Sequence, residues 1–121
     1  MKLMYITNAP EIAKIAEKSG VDWIFIDLEI NGKEKRQEGM NTVISRHTFE
    51  DVRAVKECLT SSSLLVRVNP LFNGSEKEID TVIANGADIV MLPYFKSRSE
   101  VSLFIKMVNG RAKTCLLLET A

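Results

Sequence analysis

The chain has 121 residues, with 16 Lys+Arg against 16 Asp+Glu, 45% apolar and 26% charged. That length holds one domain, and the balanced charge removes the electrostatic footprint expected of a nucleic-acid partner. The longest apolar run, Cys115-Leu116-Leu117-Leu118, falls far short of the ~18 residues that cross a bilayer, so no membrane partner is expected.

In chain order, Lys2 to Ile6 reads as a short apolar strand. Pro10-Glu11 opens a helix with Ile12, Ala13, Ile15 and Ala16 on one face, and Gly20 stops it. Asp22 to Leu28 is near-continuously apolar, as buried parallel strands read. Asn31 to Arg46 is polar and charged, a long loop with room for a short helical piece. Thr48-Phe49-Glu50-Asp51 predicts a helix start, with Asp51 returning the cap of Thr48 in a variant of the capping box. Val52, Val55, Cys58 and Leu59 give that helix its apolar face, and Ser61 to Ser63 end it. Leu64 to Val68 is a third strand, stopped by Asn69-Pro70. The sequon Asn73-Gly74-Ser75 reads as a turn. Glu76 to Asn85 is a helix with Ile79, Val82 and Ile83 inward and Gly86 as its stop. Asp88 to Leu92 is a fourth strand, Ser99 to Val108 a fourth helix, and Lys113 to Leu118 a fifth strand.

Met1 to Asn8 does not read as a signal peptide, because its apolar stretch is short and meets a polar residue at once. Cys58 and Cys115 lie far apart and form no metal-type cluster, so they read as reduced, buried thiols of a cytoplasmic protein. Trp23, Met91 and Met107 read as core residues. There is no glycine-rich phosphate loop and no Ser-His-Asp set.

The order βαβαβαβαβ predicts an α/β fold with a parallel sheet. Two architectures fit. One is a complete doubly wound domain of five strands. The other is a (β/α)8 TIM barrel, which needs about 250 residues, truncated after strand 5. The fifth strand is followed only by Glu119-Thr120-Ala121, with no helix to cover it. This favours residues 1–121 as a single domain that forms the N-terminal half of a barrel.

In such folds chemistry collects where the strands end. Strand two exits through Asp27-Leu28-Glu29, strand three carries Arg67 and exits through Asn69-Pro70, and strand five exits through Glu119. Carboxylates beside an arginine suit a divalent cation and an anionic substrate. The plainer reading of Asp27, Glu29 and Arg67 is an ion-pair network that orients the strand ends.

The stretches Gly20 to Glu29, Val66-Arg67-Val68-Asn69-Pro70, Gly86 to Pro93 and Leu116-Leu117-Leu118-Glu119-Thr120 together resemble the HpcH/HpaI aldolase and citrate lyase β-subunit family. The resemblance implies a TIM barrel of the phosphoenolpyruvate/pyruvate type. It also implies a carbon–carbon lyase that works through a metal-stabilised enolate. Glu119 would be a ligand of Mg2+ or Mn2+. Arg67, with Asn69, would bind the carboxylate or enolate oxygens of a 2-oxo acid or of an acyl group carried as a coenzyme A thioester. Asp27 and Glu29 would stand beside the reacting centre. A homo-oligomer is expected of the full-length form.

The chain also departs from the family. The aldolase branch has a histidine directly after the acidic residue, where Ile30 stands here. The single histidine, His47, either swings over the rim to act in proton transfer or is an exposed residue before the Thr48 cap. Lys33, Lys35 and Arg36 read as a solvated charge run, with coenzyme A contact as the alternative. The family's second metal ligand, an aspartate, would lie beyond Ala121. Three functions compete: half of a metal-dependent lyase, which these motifs favour; a self-contained regulatory or binding domain; and a non-catalytic fragment that works with a partner chain.

Overall fold

The computed structural model describes residues 1–29 and 47–118. The expected loop with Lys33, Lys35 and Arg36, and the terminal Glu119, lie outside these residues. Among the described residues the elements alternate: β1 (Met4–Ile6), α1 (Pro10–Lys18), β2 (Trp23–Asp27), α2 (Phe49–Cys58), β3 (Ser63–Arg67), α3 (Ser75–Ala84), β4 (Ile89–Leu92), α4 (Arg98–Val108) and β5 (Lys113–Leu116). All neighbouring strands are parallel, and the sheet runs β1-β2-β3-β4-β5, in chain order.

That order decides between the two architectures. A doubly wound sheet reverses its strand order at a switch point and carries helices on both faces. Here the four helices of the described residues pack on one face. Ala13, Ala16, Val52, Val55, Ile79, Val82, Phe104 and Val108 meet Ile24, Ile26, Leu64, Val66, Val90 and Leu92 in one buried cluster. The alternate strand residues point the other way. Phe25, Leu65, Ile89 and Met91 form a second cluster, with Trp23, Cys115 and Leu117 packed against it. Right-handed crossovers between sequential parallel strands give this arrangement: helices outside, and an inner face that is a barrel's interior. The sheet does not close on itself within the described residues.

The edge strands differ from the inner ones. β1 is exposed along its length, and Leu116 and Leu118 are exposed at β5. Among the described residues each of these strands has one neighbour, whereas β2, β3 and β4 have one on each side. Trp23 is half-buried rather than fully enclosed. Both cysteines are free and half-buried, a correction to the expected buried thiols. Burial still raises both thiol pKa values, which leaves them weak nucleophiles.

The end opposite the catalytic rim of a barrel is a stability device here. Gly20 and Gly86 turn the chain out of α1 and α3 with positive φ values of +98° and +113°, a backbone that a side chain would strain. Two residues on, an aspartate reaches back to the preceding strand. Asp22 accepts from the Leu3 N–H at 2.9 Å, and Asp88 accepts from the Leu64 N–H at 2.8 Å and pairs with Lys56. Glu17 of α1 accepts from the consecutive N–H groups of Thr60, Ser61 and Ser62 at 2.9, 2.6 and 2.6 Å.

Burial pushes the Glu17 carboxyl up, but these donors outweigh it and bring its pKa down to about 2. The native state therefore prefers the carboxylate, so Glu17 stabilises the fold fully above about pH 4.5. That contribution is lost as the pH falls toward 2. Thermal unfolding of wild type and Glu17→Gln across this window should converge at the acid end, with the variant less stable at pH 6.

Candidate active site at the carboxyl ends of the strands

The register of β2 and β3 places Asp27 directly beside Arg67. Both share the parity of Phe25 and Leu65, so both side chains stand on the inner face at the carboxyl ends of their strands. The Arg67 Nε donates to Asp27 Oδ1 at 3.0 Å, and an Nη–H donates to Asp27 Oδ2. This is the bidentate geometry that arginine offers a carboxylate. Glu29 Oε1 lies 3.5 Å from Arg67 Nε, and the Glu29 N–H donates to Asp27 Oδ1 at 3.0 Å. The guanidinium also sits 5.5 Å from the centroid of the Phe25 ring. The Arg67, Asp27 and Glu29 side chains are 15%, 23% and 8% exposed. They are sheltered enough for charge to act strongly, yet remain at a rim.

His47 is half-buried, which corrects the reading of an exposed loop residue. Its Nδ1 accepts from the Asp27 backbone N–H at 2.8 Å. The Thr7 N–H takes the Phe25 carbonyl, so by strand alternation the Asp27 N–H faces the side where β1 has ended. The imidazole completes that ladder. A backbone N–H can only donate, so Nδ1 carries no proton and Nε2 does. Burial pushes the imidazole pKa below its ordinary value, and the charges of Asp27 and Asp51 pull it back only in part. In this arrangement His47 is a neutral Nε2–H donor that holds Asp27 in place, and Nδ1 is not available as a base.

The capping box expected before α2 is present and holds His47 from the other side. Thr48 Oγ1 accepts from the Asp51 N–H at 3.2 Å and Asp51 Oδ2 from the Thr48 N–H at 2.8 Å. Asp51 Oδ2 also accepts from Asn8 Nδ2 at 3.1 Å, tying the exit of β1 to the start of α2.

Asn69 joins the exits of β2 and β3. Its Nδ2 donates to the Leu28 carbonyl at 3.3 Å and to Glu78 Oε2 at 2.7 Å, and its N–H donates to Glu78 Oε1 at 3.1 Å. Sequence reasoning did not single out Glu78. It is 8% exposed, and burial raises its pKa against the lowering effect of the Asn69 donors. Its signal was in the spacing: Ser75, Glu78, Ile79 and Val82 lie on one buried helical face, and a carboxylate on such a face needs a partner.

The chain matches the model of the HpcH/HpaI aldolase/citrate lyase family over residues 2–117. It belongs to that family. No curated protein sequence matches it. Among solved structures it is similar to mandelate oxidase variants. One, with benzaldehyde, has a TM-score of 0.64 at 13% identity over 96% of this chain and 41% of that one. Another, with 4-Br-2-hydroxy-methylphenylacetate, has a TM-score of 0.65 at 12% identity over 95% and 41%. At such identity the likeness concerns the fold alone, and that fold is the TIM barrel. The chain spans about two-fifths of the length of these structures.

The family generally uses a divalent metal. The described residues do not supply a binding set for one: they contain no group of three or more His, Cys, Asp or Glu that could hold an ion. Asp27, moreover, has both oxygens on Arg67. Glu119, the metal ligand implied by the family resemblance, lies outside the described residues. Among these residues no helix is long and apolar enough to cross a membrane.

Two measurements check this geometry. With one histidine in the chain, its NMR titration is unambiguous and should show a midpoint below about 6.5. The native state prefers neutral His47, so stability is full above that value and falls as the pH drops below it. The slope should flatten in His47→Gln. Arg67→Met leaves two sheltered carboxylates without their cation and should cost about 2–3 kcal/mol in urea unfolding. Combining it with Asp27→Asn should cost less than the sum of the single changes.

Proposed function

We propose that the chain carries half of the active site of a carbon–carbon lyase acting on a 2-oxo acid, free or as the acyl part of a coenzyme A thioester. One observation carries the reading: Arg67 stands on the inner face at the end of β3, braced by Asp27 and Glu29, within a chain of the HpcH/HpaI aldolase/citrate lyase family.

In this reading Arg67 receives the substrate's carboxylate or enolate oxygens. The bidentate pair with Asp27 fixes where the guanidinium stands. As the carbon–carbon bond breaks, negative charge moves onto the carbonyl oxygen, and the nearby guanidinium opposes it in a sheltered site. In this reading Glu29, with Asp27 beside it, takes the proton that leaves the hydroxyl of the bond being cleaved and returns it to the enolate carbon. His47 keeps Asp27 aligned through the backbone and can donate from Nε2. Asn69, held by Glu78, positions the turn that follows Arg67. Mg2+ or Mn2+ at Glu119 belongs to the same reading and, when bound, would supply charge opposite the substrate oxygens.

The reading includes a cytoplasmic setting, no nucleic-acid or membrane partner, and a homo-oligomer in the full-length form.

Enolate formation can be followed without the second substrate. In D2O with Mg2+ or Mn2+, the protein should exchange the methyl protons of pyruvate, seen as signal loss in proton NMR. Arg67→Lys should slow this by about 100-fold or more, the usual effect of removing an oxyanion donor. Exchange no faster than in protein-free buffer would favour the non-catalytic alternative.

A further inference from the structure

We propose that the cleft between the β3–α3 and β4–α4 loops holds an uncharged aromatic end of the substrate whose oxo-acid end lies at Arg67. The site would thus select an aryl-bearing 2-oxo acid over pyruvate or a dicarboxylic oxo acid. This deepens the reading of Arg67 given above and rests on it.

The cleft has a volume of about 440 Å3, within the range of small-molecule sites. Asn69 lines it and lies two residues beyond Arg67, the last residue of β3, so the cleft opens beside the rim. Phe72 and Tyr94 face it from the two loops. They are 54% and 48% exposed, and the backbone that carries each is constrained. The Phe72 N–H donates to Ser75 Oγ at 2.8 Å, and its carbonyl accepts from the Ser75 N–H at 3.1 Å. Ser75 itself is buried. The Phe72 ring lies so close over Gly74 that a β-carbon there would stand 2.6 Å from it. Gly74 thus makes room for an aromatic ring that is then left facing solvent.

Tyr94 has a φ of +47°, in the left-handed region that residues with a side chain rarely occupy. Such conformations cluster at sites that hold ligands. Two neighbouring loops therefore spend a glycine and a strained tyrosine on presenting aromatic rings to one cleft. Such surfaces take planar apolar groups.

The charges of the cleft exclude other occupants. Lys96 and Glu100 are one of each sign. The Lys96 ammonium lies 5.3 Å from the centroid of the Tyr94 ring. Glu100 accepts from the Lys96 N–H at 2.6 Å. A second substrate carboxylate would meet no net positive charge here, while Leu71, Phe72 and Tyr94 give a ring an apolar surface.

The test is a ligand-observed NMR titration of the protein with pyruvate, 2-oxoglutarate and phenylpyruvate. Wild type should bind phenylpyruvate at least about tenfold more tightly than either of the others, the scale of an added apolar contact. Phe72→Ala should bring the phenylpyruvate-to-pyruvate ratio close to one. Tyr94→Gly should do the same and relieves the backbone strain, so it guards against a folding defect. Equal affinities in wild type, absent phenylpyruvate binding, preference for 2-oxoglutarate, or a ratio that survives both substitutions overturns the cleft assignment. Arg67→Met separates the two readings. If pyruvate affinity is unchanged in that variant, the role given to Arg67 fails, while the ratio in wild type and the cleft variants still decides the cleft.

Discussion

The parallel pairing of β2 with β3 is the constraint on which the rest depends. A parallel ladder in this register sets Asp27 and Arg67 side by side, and the two-residue period of a strand sends both side chains to the inner face while Ile26 and Val66 go to the helices. A slip of one residue would turn the arginine into the hydrophobic layer and a valine into the site. The packing of Ile24, Ile26, Leu64 and Val66 under α1 and α2 therefore fixes the chemistry of the rim as firmly as it fixes the fold.

The ion pair has two roles that are not in conflict. Taking charges from water is costly, and a sheltered pair returns that cost only when its geometry and further hydrogen bonds are good. Here the carboxylate of Asp27 answers two arginine donors, and its backbone answers His47. The plain reading, a network that orients the strand ends, is thus physically present. The same network holds the guanidinium at a fixed place, so its geometry is set before any ligand arrives.

The two ends of the strands divide the work. At the amino ends, Asp22, Asp88 and Glu17 spend their carboxylates on backbone N–H groups of neighbouring segments. These bonds satisfy donors that lie before or between the ladders, and they place no charge toward the inner face. At the carboxyl ends, Asp27, Glu29 and Arg67 bond to one another, with Asn69 and Glu78 forming a second layer behind them. The first is the stability end of a barrel, and the second is the end at which the proposed chemistry would lie.

Much was legible in the sequence because it is carried by local rules. The alternation of strands and helices, the Thr48–Asp51 capping box, the Gly20 and Gly86 stops, and the position of Asp27 and Arg67 at strand exits all follow from spacing, backbone freedom and side-chain reach within a few residues. Three things were decided only in the tertiary structure. Strand order chose the barrel arrangement over the doubly wound one, because both share the same element sequence and differ in which strands pair. His47 became a partner of the Asp27 backbone because β1 ends early and leaves a donor to be satisfied, a vacancy that no local pattern records. Glu78 became the clamp on Asn69 because a helix and a strand exit meet there, and a buried carboxylate takes its meaning from the donors that a distant segment brings to it.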